Sequence, residues 1–159
     1  MRISFDLDDT LICYGDNHVE REPPLPILLR LIVRDEPLRA GARELARTLQ
    51  SRGHEIWIYT SSGRRARWIR RWLRHHGVRI DGVVDGTRHA KCFGEGSLRT
   101  KRPHAFGIHI HVDNSRSMAI EGERYGFNVC LIEPDAKDWV RQVLDSVASH
   151  QSVPSPRPA

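Results

Sequence analysis

The sequence predicts an α/β protein in which a mostly parallel sheet is covered by helices on both faces. Three observations lead there. Short apolar runs alternate with stretches of helical periodicity along the chain. The run Ile56-Trp57-Ile58-Tyr59 is apolar at successive positions, as a strand covered on both faces requires. Acidic, hydroxyl or amide residues stand at the ends of three of the runs: Asp6 and Asp8, Thr60 and Ser61, Asp113 and Asn114. Open parallel sheets bind ligands beyond the carboxyl ends of their strands, so these residues are predicted to share one edge.

Taken in order, Ile3 to Leu7 reads as a first strand. Residues Thr10 to Arg39 are broken by Pro23, Pro24, Pro26 and Pro37, and Ile27 to Val33 within them suits either a short helix or a strand. Leu45 and Leu49 recur at helical spacing in a helix from Ala40 to Arg52, which Gly53 ends. After the strand at 56–59, Arg64 to His76 is a second helix stopped by Gly77. Val83-Val84 is a brief strand and Ile108 to Val112 another. Ser115 to Tyr125 is a helix, Phe127 to Ile132 a strand and Asp135 to Ala148 a last helix. The expected organisation is one domain over 1–148 and a disordered Pro-rich tail over 149–159.

At 159 residues, with 28% charged and 39% hydrophobic residues, the chain has the balance of one globular domain. A net charge of +5 and a pI near 9.6 favour anionic ligands without choosing among phosphate esters, nucleic acid and acidic membranes. Cys13, Cys92 and Cys130 are odd in number and lack Cys-x-x-Cys spacing, which argues against a disulfide framework or zinc ribbon and suits a reducing cytoplasm. No secretory signal is expected, because Asp6 interrupts the N-terminus before an apolar region can form. The most apolar stretch, Pro26 to Val33, is too short to span a bilayer, so no membrane partner is expected.

With these strands in place, Asp6-Leu7-Asp8-Asp9-Thr10 resembles the Asp-x-Asp-x-Thr signature of the haloacid dehalogenase (HAD)-like hydrolases. Ile56 to Thr60 resembles that family's second motif, an apolar strand ending in Thr or Ser. Lys101 stands where its third-motif lysine falls, and Ile108 to Asp113 resembles its fourth motif, an apolar strand ending in acid. The four occur in family order between residue 3 and about 133. The resemblance implies a three-layer, Rossmann-like HAD fold and a magnesium-dependent phosphatase. Short insertions at 10–40 and 62–101 leave no room for a cap domain, so the site is expected to be open to the phosphorylated end of something large, or covered only by the segment Asp16 to Pro37 as a small flap or by another subunit.

The residue chemistry agrees with this expectation. An anionic nucleophile meets an anionic phosphate ester only if charge is screened, and Mg²⁺ held by Asp6 and Asp113 would do so. Asp6 would attack phosphorus and form an acyl phosphate. Asp8, two residues on, would protonate the departing oxygen and then activate water; in the family this position also gives its backbone carbonyl to the metal. Thr60, or its neighbour Ser61, would bind a phosphoryl oxygen, and Lys101 would offset the accumulated negative charge, with Lys91 as its rival for that place. Asp9 reads as a turn residue and Thr10 as one that shapes the loop. Asn114 departs from the family pattern, which places a further acid beside or a few residues after Asp113. It could orient a metal-bound water but brings no charge.

Asp8 argues against dehalogenation, and the chain is too short for an ion pump. Two other classes remain: a nucleic-acid end phosphatase and a catalytically weak module that binds phosphorylated ligands. The helix Arg64 to Arg74 bears on the first. Its N-terminus is expected to face the site, and Trp68 and Trp72 are expected to pack on the sheet with the arginines solvated, so nucleic acid is a possible but not favoured partner. His109 and His111 alternate with apolar residues and read as hydrogen-bonded histidines rather than zinc ligands. Substrate identity and oligomeric state are not encoded in these patterns.

Overall fold

The computed structural model describes residues 1–15, 19–97 and 100–151. Its strands are β1 (Arg2–Phe5), β2 (Glu55–Tyr59), β3 (Gly82–Val84), β4 (Ile110–Asp113) and β5 (Asn128–Leu131). They form one five-stranded sheet in the order β3-β2-β1-β4-β5, and every pairing is parallel. The helices are α1 (Ile27–Ile32), α2 (Ala42–Ser51), α3 (Ala66–His75), α4 (Gly86–Phe93), α5 (Arg116–Tyr125) and α6 (Trp139–Gln151), with a 3-10 turn at Pro103–Phe106. The protein is therefore an α/β molecule with a Rossmann-like parallel sheet.

The period-2 alternation of the strands divides the core in two. Ile3, Phe5, Ile56, Ile58, Ile110 and Val112 point to one face, where Leu45 and Leu49 of α2, Leu73 and Trp72 of α3, and Trp139 and Val143 of α6 close over them. Trp57, Tyr59 and Val84 point to the other face and meet Ile108 and Phe106. His89 of α4 reaches Tyr59 there, and α5 lies so close to β5 that a Cβ on Gly122 would stand 2.7 Å from the Phe127 carbonyl. Trp57 needs similar room: a side chain at Gly82 would enter its indole ring at 2.2 Å.

Chain order places the site. From the central β1 the chain runs outward through β2 to β3, then crosses back to β4 and β5 on the other side. Winding reverses between β1 and β4, so their carboxyl ends open a crevice of the kind that binds ligands in such sheets. Asp6 N bonds to Val112 O at 2.9 Å and seats Asp6 at that crevice, beside the end of β4.

Several boundaries differ from expectation. The stretch at Ile27 resolves as a helix. β4 starts at Ile110 because the 3-10 turn and the left-handed Gly107 (φ 65°) precede it. α4 was not foreseen: it has too few apolar residues to show a period, and its start is fixed by Asp85, whose side chain accepts from Arg88 N. α3 begins at Ala66 rather than Arg64. α6 continues to Gln151, so residues 149–151 are helical rather than part of a tail; 152–159 lie outside the described residues, as do 16–18 of the expected flap. No helix among the described residues is long and apolar enough to cross a membrane.

Candidate active site

Asp6 follows β1 and Asp113 ends β4, so parallel pairing of the two strands brings their carboxylates side by side. Between them stands Lys101, only 6% exposed, on the segment that leads into the 3-10 turn. Its Nζ donates to Asp6 Oδ1 and to Asp113 Oδ2, each at 2.7 Å. Lys91, its rival in the sequence, is exposed on α4.

His111 is the residue that sequence reasoning missed at this cluster. It is fully buried, with Nε2 3.0 Å from Asp113 Oδ2 and 3.2 Å from Lys101 Nζ, and Nδ1 2.8 Å from Ser4 Oγ. Burial first, and the Lys101 charge second, push its pKa down, so the imidazole is neutral and carries one N–H. The contact to Asp113 is the shorter, so we place that proton on Nε2, where it donates to Asp113 while Ser4 donates to Nδ1. Lys101 then keeps its third N–H for another acceptor. A signal existed in the sequence: His111 is two residues before Asp113 on one strand, hence on the same face.

The two carboxyls titrate in opposite directions. Burial raises the Asp6 pKa, and the nearby Asp113 charge adds to this against the pull of Lys101. For Asp113 burial also pushes up, but the hydrogen bond from His111 and the Lys101 charge outweigh it and hold the carboxyl well below the usual range. Its Oδ1 accepts from Ser115 N at 2.8 Å, which fixes the carboxylate's orientation.

Thr60 is fully buried at the end of β2; its Oγ1 accepts from Ser62 N at 3.1 Å, and its own O–H is left to donate. Ser61 is exposed. Thr10 donates to Asn114 Oδ1 at 3.3 Å, so it ties the loop after β1 to the loop after β4 and occupies the Asn114 oxygen. Asp9 has φ 55°, as a turn residue can.

Asp8 points away from Lys101 into a second cluster. Its Oδ1 accepts from Arg64 Nη1 at 2.9 Å and from the Tyr14 hydroxyl at 2.6 Å. Arg64 also holds Glu36 through two nitrogens and donates to Tyr14. Glu36 O in turn accepts from Trp72 Nε1 at 3.2 Å. Segments on either side of α1 are thus tied over Asp8 by one guanidinium. This explains the late start of α3: Arg64 turns to Asp8, and Asp85 Oδ2 accepts from Ala66 N at 2.9 Å. The helix N-terminus expected to face phosphate therefore has one of its N–H groups already bonded to Asp85.

Among the described residues there is no group of three or more His, Cys, Asp and Glu placed to hold a metal ion. The donors that are present, two carboxylates converging on one cation, are of the kind Mg²⁺ uses when it keeps most of its waters. With both ionised against one lysine, the cluster retains one uncompensated negative charge.

A scan of the chain against protein-family models finds no match, and a search of curated proteins finds no relative.

Proposed function

We propose that this chain is a HAD-like, Mg²⁺-dependent phosphomonoesterase that works through an aspartyl-phosphate on Asp6. The observation that carries the reading is the convergence of Asp6, Asp113 and Lys101, at 2.7 Å on each side, at the crevice where strand order reverses. Burying three charges is costly, and such a cluster adds little to stability over apolar residues, so its presence points to chemistry.

Asp6 and Asp113, with the Asp8 backbone carbonyl, would hold the metal. When bound, it would screen the carboxylates from the incoming phosphate and polarise the phosphoryl group. A carboxylate oxygen of Asp6 attacks phosphorus as the bond to the leaving oxygen breaks. Lys101 balances charge on the transferring group, and its remaining N–H and the Thr60 hydroxyl are the donors for phosphoryl oxygens. Asp8, released from Arg64 and Tyr14, takes up a proton from solvent and gives it to the leaving oxygen. Water then attacks phosphorus, its proton passes to Asp8, and the P–O bond to Asp6 breaks to give inorganic phosphate. His111 and Ser4 take no proton; they orient Asp113 and Lys101.

The test is phosphate release from an aryl phosphate with Mg²⁺ and again with excess chelator. Turnover that needs Mg²⁺ is expected. Absence of turnover with every divalent cation and every phosphate ester tried would favour the phospho-ligand binding module instead.

A further inference from the structure

Positive charge is concentrated in one stretch of this chain. Residues 64–91 contain nine Lys and Arg against two Asp, whereas the remainder contains sixteen against eighteen. The basicity of the protein is therefore a property of α3, α4 and the turns beside them. On α3, Arg67, Arg70, Arg71 and Arg74 recur at helical spacing opposite the buried Ile69, Trp72 and Leu73, and form one exposed stripe. At the end of the stripe nearest the sheet edge, Arg65, Arg67, Arg88 and Lys91 line a single open concavity with Asp85 and Thr87.

The acidic residues nearby do not neutralise this face. Asp85 accepts from Ala66 N and Arg88 N, and Asp81 accepts from Ile56 N. Among the described residues, Arg65, Arg67, Arg71, Arg74 and Lys91 form no ion pair. Unpaired like charges at this density repel one another, and a polyanion laid along them relieves that repulsion. The concavity opens beyond β3, two strands from β1, so it stands more than about 10 Å across the sheet from the Asp6 strand. A small phosphate ester at Asp6 would not need a basic track leading away from the site. A strand with a phosphate every few ångströms would.

We propose that the α3–α4 face binds the sugar–phosphate backbone of a nucleic-acid strand and that the phosphate monoester brought to Asp6 is the one at that strand's end. The second half rests on the phosphatase reading; the first half does not.

Fluorescence anisotropy of the full chain with a short single-stranded oligonucleotide tests the first half. With about five phosphate contacts, raising salt from about 50 to about 200 mM is expected to weaken binding roughly 10²-fold. The R67E/R71E variant is expected to bind more weakly and to show a log–log salt slope shallower by about 1.4. A matched reversal, R47E/R124E, on exposed positions of α2 and α5 changes net charge equally and is expected to leave binding within about twofold. Thermal unfolding of both variants, with R71A/R74A as a milder pair, verifies that the fold is kept. Equal weakening by both reversals, no binding at low salt, or tighter binding to phosphatidylserine vesicles than to the oligonucleotide would overturn the proposal. Asp6→Asn should still bind the strand whether or not the phosphatase reading holds. For the second half, R67E/R71E should raise KM for an end-phosphorylated oligonucleotide far more than for an aryl phosphate; an equal change in both would remove it.

Discussion

At the scale of single residues, the division between Asp6 and Asp8 is the central feature. They are two positions apart, yet Asp6 is buried against Lys101 while Asp8 is partly exposed against Arg64 and Tyr14. On the proposed mechanism these surroundings suit different tasks: a nucleophile held at one cation, and a proton carrier nearer the solvent. From this, Asp8→Asn is expected to lower kcat for an alkyl phosphate by roughly 10²- to 10⁴-fold. The loss should be much smaller for an aryl phosphate, whose leaving oxygen needs less protonation. Comparing the two substrates checks the assignment, and an equal loss on both would speak against Asp8 as the acid. Asp6, Thr60 and Asp113 at strand ends, and Lys101 beside two of them, were legible as positions because each follows, ends or precedes an apolar strand. His111 was not, because a polar residue in a strand is ordinarily read by its own face and not by its neighbour two residues away. Arg64, Tyr14 and Glu36 come from separate segments, and nothing local in the sequence announces their meeting.

At the scale of elements, Asp85 joins two helices. One oxygen caps α4 through Arg88 N and the other accepts from Ala66 N at the start of α3. Loss of an N-cap side chain costs about 0.5–2 kcal/mol, and Asp85 serves two helices at once. Asp85→Ala is thus expected to destabilise the protein by about 1–3 kcal/mol in urea unfolding, whereas Asp85→Asn, which can satisfy only one of the two N–H groups with its oxygen, should fall between. No measurable change in Asp85→Ala would mean that water replaces the carboxylate at both helices. The strands and the longer helices were legible from periodicity, with errors at their ends. α4 was not, because its eight residues lack an apolar period and its start depends on a cap rather than on patterning.

At the scale of the whole molecule, two buried histidines distant from each other report on pH. His54 Nδ1 accepts from the N-terminal amine at 3.2 Å, and His89 Nδ1 accepts from the Tyr59 hydroxyl at 2.5 Å, since that oxygen itself accepts from Arg102 N. Burial is the first cause that lowers both pKa values from 6.5; neighbouring positive charges add to it. The unfolded chain therefore binds more protons than the folded one once pH falls below about 6.5, and the stability these groups contribute, complete above that value, is lost as pH drops towards their folded pKa values. Melting temperature is expected to fall between about pH 7 and about pH 5, and less steeply in His54→Gln. A flat profile would mean that neither histidine is held neutral. The architecture at this scale, a parallel sheet with helices on both faces, follows from the strand–helix alternation; the strand order that puts Asp6 and Asp113 side by side does not, because it depends on which strands the crossovers bring together.

The most direct measurement is to acid-quench the protein during incubation with Mg²⁺ and a phosphate ester and map any phosphoryl group by peptide mass spectrometry. The mechanism predicts the label on Asp6, present in the wild type and absent in Asp6→Asn. Turnover with no acyl-phosphate, or with the phosphoryl group on any other residue, would contradict it.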